Sequence, residues 1–392
     1  VKVEEVNVKG EVISNNSLKP AESGQSVHLS VDSGLQSKLF ETIGSVVRDR
    51  GFAGGAGAVM DVKTGELLAL VSYPEYDSNI MTGRTDPKAV QRFLTEPGKP
   101  FLNRALAGLY APGSIIKPVI ALAALNERVI DPAKKILSTG QLEIPNPYNP
   151  KEKTIFKDWK AHGYIDMQRA IAESSDEYFY QIGGGYQSQP GLGIARIDKY
   201  LTMFGLSRPT GIELPEATGT IPTPEWKART FNGEAWRLGD TYHTAIGQYG
   251  MLVTPLQMVR MAAVIANEGS LVRPTLLKVL GTTTPSEQIP ISKHYFDIVH
   301  DGMRLGVADA GGTGHGLDVP TVKIAAKTGT AELGVSKARV NSWAIGFWPY
   351  EDPKYAFAVV MESGPRANTI GGVFVMRTMF DWLAVYLPEY LK

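Results

Sequence analysis

Short apolar runs rich in Val, Ala and aromatic residues lie near both ends of the chain, and longer apolar stretches with helical spacing fill its middle. The first two runs flank the turn Lys63-Thr64-Gly65, so they predict a β-hairpin. The remaining three predict a second hairpin and a fifth strand. In chain order the runs are residues 56–62, 66–72, the run that ends at Lys327, 342–349 and 355–361. This pattern predicts a sheet made from both chain ends around a helical insertion.

The middle of the chain predicts helices separated by Pro/Gly-rich loops at residues 144–150 and 218–224. Helical spacing of its apolar residues predicts core packing at Met258, Met261, Ala262 and Ile265. Residues 1–27 begin as an extended β region and continue as a polar stretch, from Asn15 to Gly24, that is typical of a linker. We therefore expect a boundary near residue 27 and a large domain over residues 28–392.

Composition removes several classes of function. The chain has 40 basic residues (Lys and Arg) and 40 acidic residues (Asp and Glu), so its net charge is +0. Nucleic acid is therefore not expected as a partner. Cysteine is absent, which excludes disulfides and thiolate zinc sites. The most apolar window, residues 119–125, is too short for a membrane helix. The chain starts at Val1 without an initiator Met or a signal peptide, so we expect that upstream sequence has been removed.

Ser114 and Lys117 form a Ser-x-x-Lys pair at the start of an apolar helical run. A serine at a helix N-terminus has an unpaired N–H at the positive end of the helix dipole, which suits half of an oxyanion hole. Positions i and i+3 share a helical face, so the amine can reach the hydroxyl. Pro118 lacks an N–H and predicts a tightened first turn. The alternative is a capping serine beside a solvated lysine.

Lys-Thr-Gly occurs twice, at residues 63–65 and at residues 327–329. The first copy lies between two strand-like runs, where it is typical of a turn. The second copy ends an apolar strand-like run and is followed by Thr330. There Gly329 would let a substrate backbone approach closely. Lys327 would supply positive charge and the Thr328 and Thr330 hydroxyls hydrogen bonds for a carboxylate.

Ser174-Ser175-Asp176 lies between these two motifs along the chain. By itself it is equally consistent with a helix cap. In the functional interpretation, Ser174 shuttles a proton between Lys117 and the leaving or attacking amine, and Asp176 orients Lys117. Together, and in this order, the three motifs resemble the signature set of penicillin-binding proteins and class A β-lactamases, and that resemblance implies one acyl-transfer site.

The six histidines show no spacing typical of a metal site, so no metal and no cofactor is expected. Asp158 and His162 are four residues apart and would share a face if the segment were helical. In a Gly/Pro-rich neighbourhood, we interpret them as a surface pair and not as ligands.

The three motifs and the segments around them resemble class B penicillin-binding proteins, the monofunctional DD-transpeptidases. The resemblance covers roughly residues 28–385 and is greatest to the elongation-specific penicillin-binding protein 2 subgroup. The second motif usually ends in Asn, whereas Asp176 stands there in this chain, as in that subgroup. A carboxylate only accepts hydrogen bonds, so a donor contact from this position to the substrate is not expected. The similar segments are residues 57–66, 103–105, 110–114, 239–241, 246–248, 254–257, 312–314 and 345–349.

The resemblance implies a mixed α/β penicillin-binding transpeptidase and serine β-lactamase-like fold. Such a fold has an antiparallel five-stranded sheet flanked by helices plus an all-helical subdomain. It also implies a peptidoglycan stem peptide ending in D-Ala-D-Ala as the substrate and β-lactam antibiotics as covalent inhibitors. Ser114, deprotonated through Lys117, would attack the substrate carbonyl, and the N–H groups of Ser114 and Thr330 would hold the oxyanion. An amine from a second stem would then take the acyl group.

Full-length members of the family carry an N-terminal membrane helix. The resemblance therefore implies such a helix, absent from this chain, that anchors the protein at the periplasmic face of the bacterial inner membrane. Residues 1–27 would be the remnant of a pedestal domain. The implied partners are a polytopic glycosyltransferase and other wall-elongation proteins. The alternatives are a DD-carboxypeptidase, a serine β-lactamase, or a non-catalytic β-lactam sensor or scaffold. A class A β-lactamase would need a Glu-x-x-Leu-Asn segment, whereas Glu213 is followed by Leu and Pro.

Overall fold

The computed structural model describes residues 2–17, 23–83, 87–146, 149–279, 286–368 and 370–392. The strands are β1 (Lys2–Val6), β2 (Val12–Ser17), β3 (Gly54–Asp61), β4 (Leu67–Tyr73), β5 (Ile136–Ser138), β6 (Gln141–Asn146), β7 (Asn149–Lys157), β8 (Gly163–Ile165), β9 (Ser270–Leu271), β10 (Glu287–Gln288), β11 (Ala325–Leu333), β12 (Arg339–Trp348) and β13 (Tyr355–Pro365). The α-helices are α1 (Ser33–Arg50), α2 (Ser78–Gly83), α3 (Pro87–Thr95), α4 (Lys117–Asn126), α5 (Met167–Ala172), α6 (Asp176–Gly184), α7 (Ile194–Met203), α8 (Pro224–Thr230), α9 (Leu238–Ala245), α10 (Pro255–Ala266), α11 (Lys293–Ala308) and α12 (Gly372–Tyr386). Short 3-10 helices cover Gly113–Ile116, His315–Leu317 and Pro388–Leu391.

The main sheet has five antiparallel strands in the order β11-β12-β13-β3-β4. The two ends of the chain meet where β13 pairs with β3, with Val359 opposite Gly57. The prediction of a sheet made from both chain ends is confirmed, and so is the mixed α/β fold class.

Helices cover both faces of the sheet. Successive residues of β3 point to opposite faces, and both sets of side chains are apolar. Ala58 and Met60 belong to the larger core, which α4 and α10 share, whereas Val59 belongs to a core with α1 and α12. Gly57 lets α1 pack closely, since a Cβ there would lie 3.0 Å from Leu39 Cδ2. Both faces of the sheet are therefore buried.

The two edges of the sheet differ. At the β4 edge, the Gln36 side chain donates to Leu70 O and accepts from Leu70 N–H, at 2.9 and 2.8 Å. The other edge strand is β11, which carries the second Lys-Thr-Gly copy. The sequence predicted that the strand ends at Lys327, which is wrong, because pairing with β12 continues as far as Leu333. The motif therefore lies within an edge strand.

The middle of the chain is mostly helical, as predicted, but it also contains two-stranded ladders. Residues 144–146 and 149–150, predicted as part of a loop, belong to the β6–β7 hairpin, and residues 147–148 lie outside the described ranges. Pro145 pairs with Lys153 in this hairpin, and a ladder of two strands has only edges, where a proline is tolerated. The predicted core positions of α10 are all buried, at Met258, Met261, Ala262 and Ile265.

The N-terminal segment differs from its prediction. Asn15 was taken as the start of a linker, yet residues 15–17 belong to β2, which pairs with β1. Residues 18–22 of that linker lie outside the described ranges, and the domain boundary near residue 27 stays a prediction. In the described part of the chain, no helix combines the length and the apolar character needed to cross a membrane.

The first Lys-Thr-Gly copy is a turn, as predicted. The carboxylate of Asp61 accepts hydrogen bonds from the N–H groups of Lys63 and Thr64, both at 2.8 Å. Gly65 has φ +79° and packs against Arg273, whose carbonyl oxygen would lie 2.1 Å from an added Cβ. This copy of the motif therefore serves the β3–β4 connection.

Candidate active site

Ser114 lies in the 3-10 helix Gly113–Ile116, directly before α4. Pro118 has no N–H to donate to the carbonyl of Ser114, and the N–H of Lys117 donates to it instead. A bond to the third residue back closes a 3-10 turn and not an α turn. The predicted helix start with a tightened first turn is confirmed, and Ser114 is half-buried in it.

Glycines allow other segments to pack against this turn. A Cβ on Gly329 would lie 2.7 Å from Pro112 O, and one on Gly247 would lie 2.2 Å from Gly113 O. The sequence predicted that a substrate backbone approaches Gly329, whereas in the structure the approaching backbone is that of the Ser114 turn. An added Cβ on Gly113 would lie 3.3 Å from Thr330 O. The first and third motifs are therefore in direct backbone contact.

Lys117 joins the first motif to the second. Its side chain is fully buried, and its Nζ donates to Asp176 Oδ1 at 2.6 Å and to Ser174 O at 2.8 Å. The Phe179 ring lies 5.3 Å from the same Nζ. Among the described residues, no hydrogen bond joins Lys117 Nζ to the Ser114 hydroxyl. The amine is thus directed at the second motif, where it donates to Asp176. That Asp176 orients Lys117 for catalysis stays a prediction.

Ser174 lies between two lysines. Its hydroxyl oxygen is 3.4 Å from Lys117 Nζ and 2.8 Å from Lys327 Nζ. Ser174 has φ +59°, an uncommon backbone conformation for a residue with a side chain. This left-handed residue lies between α5 and α6 and is only 8% exposed. The arrangement gives one buried hydroxyl two amines with which to exchange a proton.

Lys327 is buried on the inner side of β11, and its Nζ also donates to Thr328 O at 2.9 Å. Burial, and then the nearby charge of Lys117, hold the pKa of Lys327 well below that of a free lysine, although Asp176 acts in the opposite direction. The two hydroxyls expected to bind a carboxylate differ in exposure, because Thr328 is half-buried and Thr330 is exposed.

The lowered pKa of Lys327 predicts how carboxylate recognition depends on pH. The ammonium form, which attracts a carboxylate, is fully present only below the lowered pKa and disappears as pH rises through it. We expect the affinity of the Ser114→Ala protein for a penicillin to fall at a pH well below 10.5, the value for a free lysine. Calorimetric titrations over a range of pH measure this. Lys327→Arg should remove the dependence, because a guanidinium stays charged. An affinity that is constant up to the pKa of free lysine would contradict it.

Ser175, in the second motif, caps helix α6. Its hydroxyl accepts from Tyr178 N–H at 3.2 Å at the start of α6 and donates to Asp158 Oδ2 at 2.7 Å. The same Asp158 oxygen accepts from Glu177 N–H at 2.9 Å. The capping alternative is therefore confirmed at Ser175, and the functional interpretation of Ser174 and Asp176 stays a prediction.

Asp158 and His162 are not a surface pair, and the segment between them is a loop and not a helix. Both side chains are 0% exposed, with 3.4 Å between His162 Nε2 and Asp158 Oδ2. His162 Nδ1 lies 2.8 Å from Glu173 Oε2. The sequence prediction was wrong because the contacts that bury this loop come from α6 and Glu173, which its local composition does not reveal.

The carboxylates and the histidine in this network have altered pKa values. Burial raises the pKa of Asp158, but hydrogen bonds from His162, Glu177 and Ser175 outweigh it and lower the pKa to about 2. Burial lowers the pKa of His162, whereas Asp158 and Glu173 raise it more, so the net shift is upward. No group of three or more His, Cys, Asp or Glu side chains within the described ranges is arranged to hold a metal ion. That no metal or cofactor is needed stays a prediction.

Ser175→Ala is expected to destabilise the fold. The change removes the cap of α6 and the hydrogen bond to the Asp158 carboxylate, which together contribute about 1–3 kcal/mol. The measurement is the free energy of unfolding from chemical denaturation. Ser188→Ala, at an exposed position, is the matched control and should change it by less than about 0.5 kcal/mol. Equal small changes in the two variants would show that the network contributes nothing to stability.

The three motifs thus meet at one place, with a serine on a helix-initiating turn, two buried lysines and a hydroxyl between them. This arrangement suits acyl transfer through a serine ester. Residues 55–373 match the model of the penicillin binding protein transpeptidase domain. The chain therefore belongs to the penicillin-binding protein transpeptidase domain family.

The chain is also similar to individual proteins that are named as peptidoglycan transpeptidases or penicillin-binding proteins. The chain is 32% identical to the peptidoglycan D,D-transpeptidase MrdA of Haemophilus influenzae, over 99% of this chain and 61% of that protein. A complex of penicillin-binding protein PBP2 with MreC from Helicobacter pylori matches with a TM-score of 0.79 and 30% identity, over 98% of this chain and 69% of that one. A structure describing polymerization and crosslinking by a peptidoglycan synthase complex matches with a TM-score of 0.78 and 28% identity, over 98% and 67% of the two chains. The chain spans about three fifths of the length of the curated relative.

Proposed function

We propose that the chain is a peptidoglycan DD-transpeptidase that cross-links stem peptides through a serine acyl-enzyme. The observation that carries the proposal is the Ser174 hydroxyl held between Lys117 and Lys327 beside the turn of Ser114. This geometry offers a proton path from the nucleophile to a leaving amine. The name of the Haemophilus influenzae relative gives the same activity.

Acylation uses all three motifs. Ser114 Oγ attacks the carbonyl of the penultimate D-Ala and transfers its proton to Lys117, which Asp176 holds in place. The N–H groups of Ser114 and Thr330 stabilise the oxyanion, and Ser174 passes the proton to the nitrogen of the departing D-Ala. A carbon–oxygen bond forms, the carbon–nitrogen bond breaks, and free D-Ala leaves with the proton.

An edge strand beside the nucleophile suits an extended peptide. On its outer side, β11 has no neighbouring strand from the described ranges of the chain. A stem peptide can pair with that edge by main-chain hydrogen bonds, which is a common mode of peptide recognition. Its terminal carboxylate would then be held by Lys327, Thr328 and Thr330. A β-lactam carboxylate would occupy the same position.

Deacylation by an amine distinguishes a transpeptidase from a β-lactamase. The carboxylate of Glu213 is not free to activate water, since it accepts hydrogen bonds from Thr275 Oγ1 and Leu276 N–H at 2.8 and 3.2 Å. An acceptor amine can lose its proton to Ser174 and the lysines on either side of it. The acyl-enzyme is therefore resolved by an amine faster than by water.

The partners and location follow from the proposed function. The MreC complex from Helicobacter pylori and the peptidoglycan synthase complex support wall-elongation proteins and a polytopic glycosyltransferase as partners of the full-length protein. In that form, an N-terminal helix would hold the transpeptidase domain, residues 28–392, at the periplasmic face of the inner membrane. Residues 1–27 would be the remnant of the pedestal.

The proposal predicts a long-lived acyl-enzyme with β-lactams. A chromogenic cephalosporin should give one rapid burst, stoichiometric with the protein, followed by very slow turnover, because the Glu213 carboxylate is held by Thr275 and Leu276 and does not activate the deacylating water. The measurement is absorbance after rapid mixing, with Ser114→Ala as the control that should show no burst. Sustained fast turnover would favour a β-lactamase, and the absence of any burst would favour a non-catalytic scaffold.

A further inference from the structure

Thr313 contacts the segments that carry the second and the third motif. It lies in the loop after α11, within Gly312-Thr313-Gly314. Its N–H donates to Ala172 O at 3.1 Å, two residues before Ser174. Its Oγ1 lies 2.7 Å from Thr328 Oγ1, within the Lys-Thr-Gly segment. No step of the proposed acylation or deacylation uses this residue.

Glycines hold the loop in place on α11. Gly314 N–H donates to Gly306 O at 2.9 Å, and a Cβ on Gly312 would lie 2.3 Å from the same oxygen. An added Cβ on Gly306 would lie 3.4 Å from Ala172 Cα and 3.5 Å from Ala326 O, so the helix packs on α5 and β11 together. Thr313 therefore has a fixed position relative to both motifs.

Which of the two hydroxyls donates the hydrogen bond depends on whether a ligand is bound. At 2.7 Å, one hydroxyl donates and the other accepts. Among the residues that the structure describes, the other acceptor bonded to Thr313 Oγ1 is Ala172 O, which is 3.5 Å away and also accepts the Thr313 N–H. When Thr328 donates to an anion, its oxygen can still accept, and Thr313 can then donate to it. The result is a chain from Thr313 through Thr328 to the anion, in which each bond strengthens the next.

We propose that Thr313 is a positioning residue that directs the Thr328 hydroxyl towards the carboxylate of the substrate or β-lactam. This inference rests on the proposed function, since it assumes that a carboxylate binds beside Thr328. Thr313 accepts from Thr328 in the empty site and donates to it in the occupied site. It thereby contributes to the selection of ligands that carry a free carboxylate.

The test compares a penicillin with its methyl ester, which lacks the negative charge. Thr313→Val keeps the shape and removes the hydroxyl, and it should lower the efficiency of Ser114 acylation by the acid about two- to tenfold while leaving that by the ester unchanged. Thr313→Ser should restore the wild-type value. In a Thr328→Val background, Thr313→Val should have no further effect, because it acts through Thr328.

The outcomes separate this inference from the proposed function. Equal losses for acid and ester with Thr313→Val, or no loss for either, would overturn the inference and leave the transpeptidase proposal intact. Additive losses in the double variant would also overturn it. If the wild-type chain is acylated by neither compound, the proposed function fails and this inference fails with it.

Discussion

Ser114→Ala is expected to abolish covalent labelling by a fluorescent penicillin without loss of the fold. In the proposed mechanism the hydroxyl is the nucleophile. Ser114 is half-buried at the surface of the turn, so we expect its removal to leave the turn and α4 in place. The measurement is in-gel fluorescence, followed by peptide mapping of the labelled wild-type protein. The melting temperature of the variant should match that of the wild type.

Two other serines test whether Ser114 alone is acylated. Ser174→Ala should label slowly, because it retains the nucleophile and loses the proton path. Ser188→Ala, at an exposed position, should label at the wild-type rate. Mapping of the penicillin to Ser174 or Ser175 would overturn the assignment of Ser114.

Lys117→Ala is expected to lower the acylation rate by about 10²–10⁴, the usual effect of removing a general base. The side chain is fully buried, and its Nζ donates to Asp176 Oδ1 at 2.6 Å. Stopped-flow acylation separates the chemical step from binding. Lys117→Met, which fills more of the vacated space, should show the same loss and thereby separate the loss of the base from the loss of packing.

Lys327→Ala should have a different effect, chiefly weaker binding of ligands with a carboxylate. Lys63→Ala is its matched control, because Lys63 occupies the first position of the other Lys-Thr-Gly copy, in a turn. It should leave both binding and acylation unchanged. Equal small effects of Lys117→Ala and Lys327→Ala on the chemical step would contradict the separate roles proposed for the two lysines.

The sheet was predictable because its strands are apolar runs of strand length with turn residues between them. Periodicity could not give the true extent of β11, since residues 328–333 include polar and charged side chains that resemble the end of a strand. Pairing with β12 carries the strand through them. The β6–β7 hairpin was missed for a similar reason, because its prolines lie in a ladder that tolerates them.

The three motifs were predictable as residue types at set positions, but their mutual contacts were not. Sequence spacing placed Lys117 within reach of Ser114, whereas the structure directs its amine to Ser174 and Asp176. The left-handed backbone of Ser174 leaves no sequence signal, because serine is not a residue that favours it. Contacts between residues about 150 positions apart in the sequence depend on how the helices and strands pack together. Local sequence patterns carry no information on that packing.

The buried Asp158 and His162 network shows the same limit. A polar pair in a loop is usually exposed, and the contacts that bury this one come from residues of α6 and from Glu173. Thr313 was visible only as part of a Gly-Thr-Gly segment that resembles the family. Its bond to Thr328 joins residues on different elements, so only the fold reveals it.

The partition of the acyl-enzyme between amine and water tests the central proposal most directly. The protein is incubated with a stem-peptide thioester as the acyl donor and a second stem peptide as the amine acceptor, and the products are identified by mass spectrometry. A transpeptidase is expected to form the cross-linked peptide as the main product, in an amount that rises with acceptor concentration, and Ser114→Ala should form none. Hydrolysed donor as the main product at every acceptor concentration would contradict the proposal and favour a DD-carboxypeptidase.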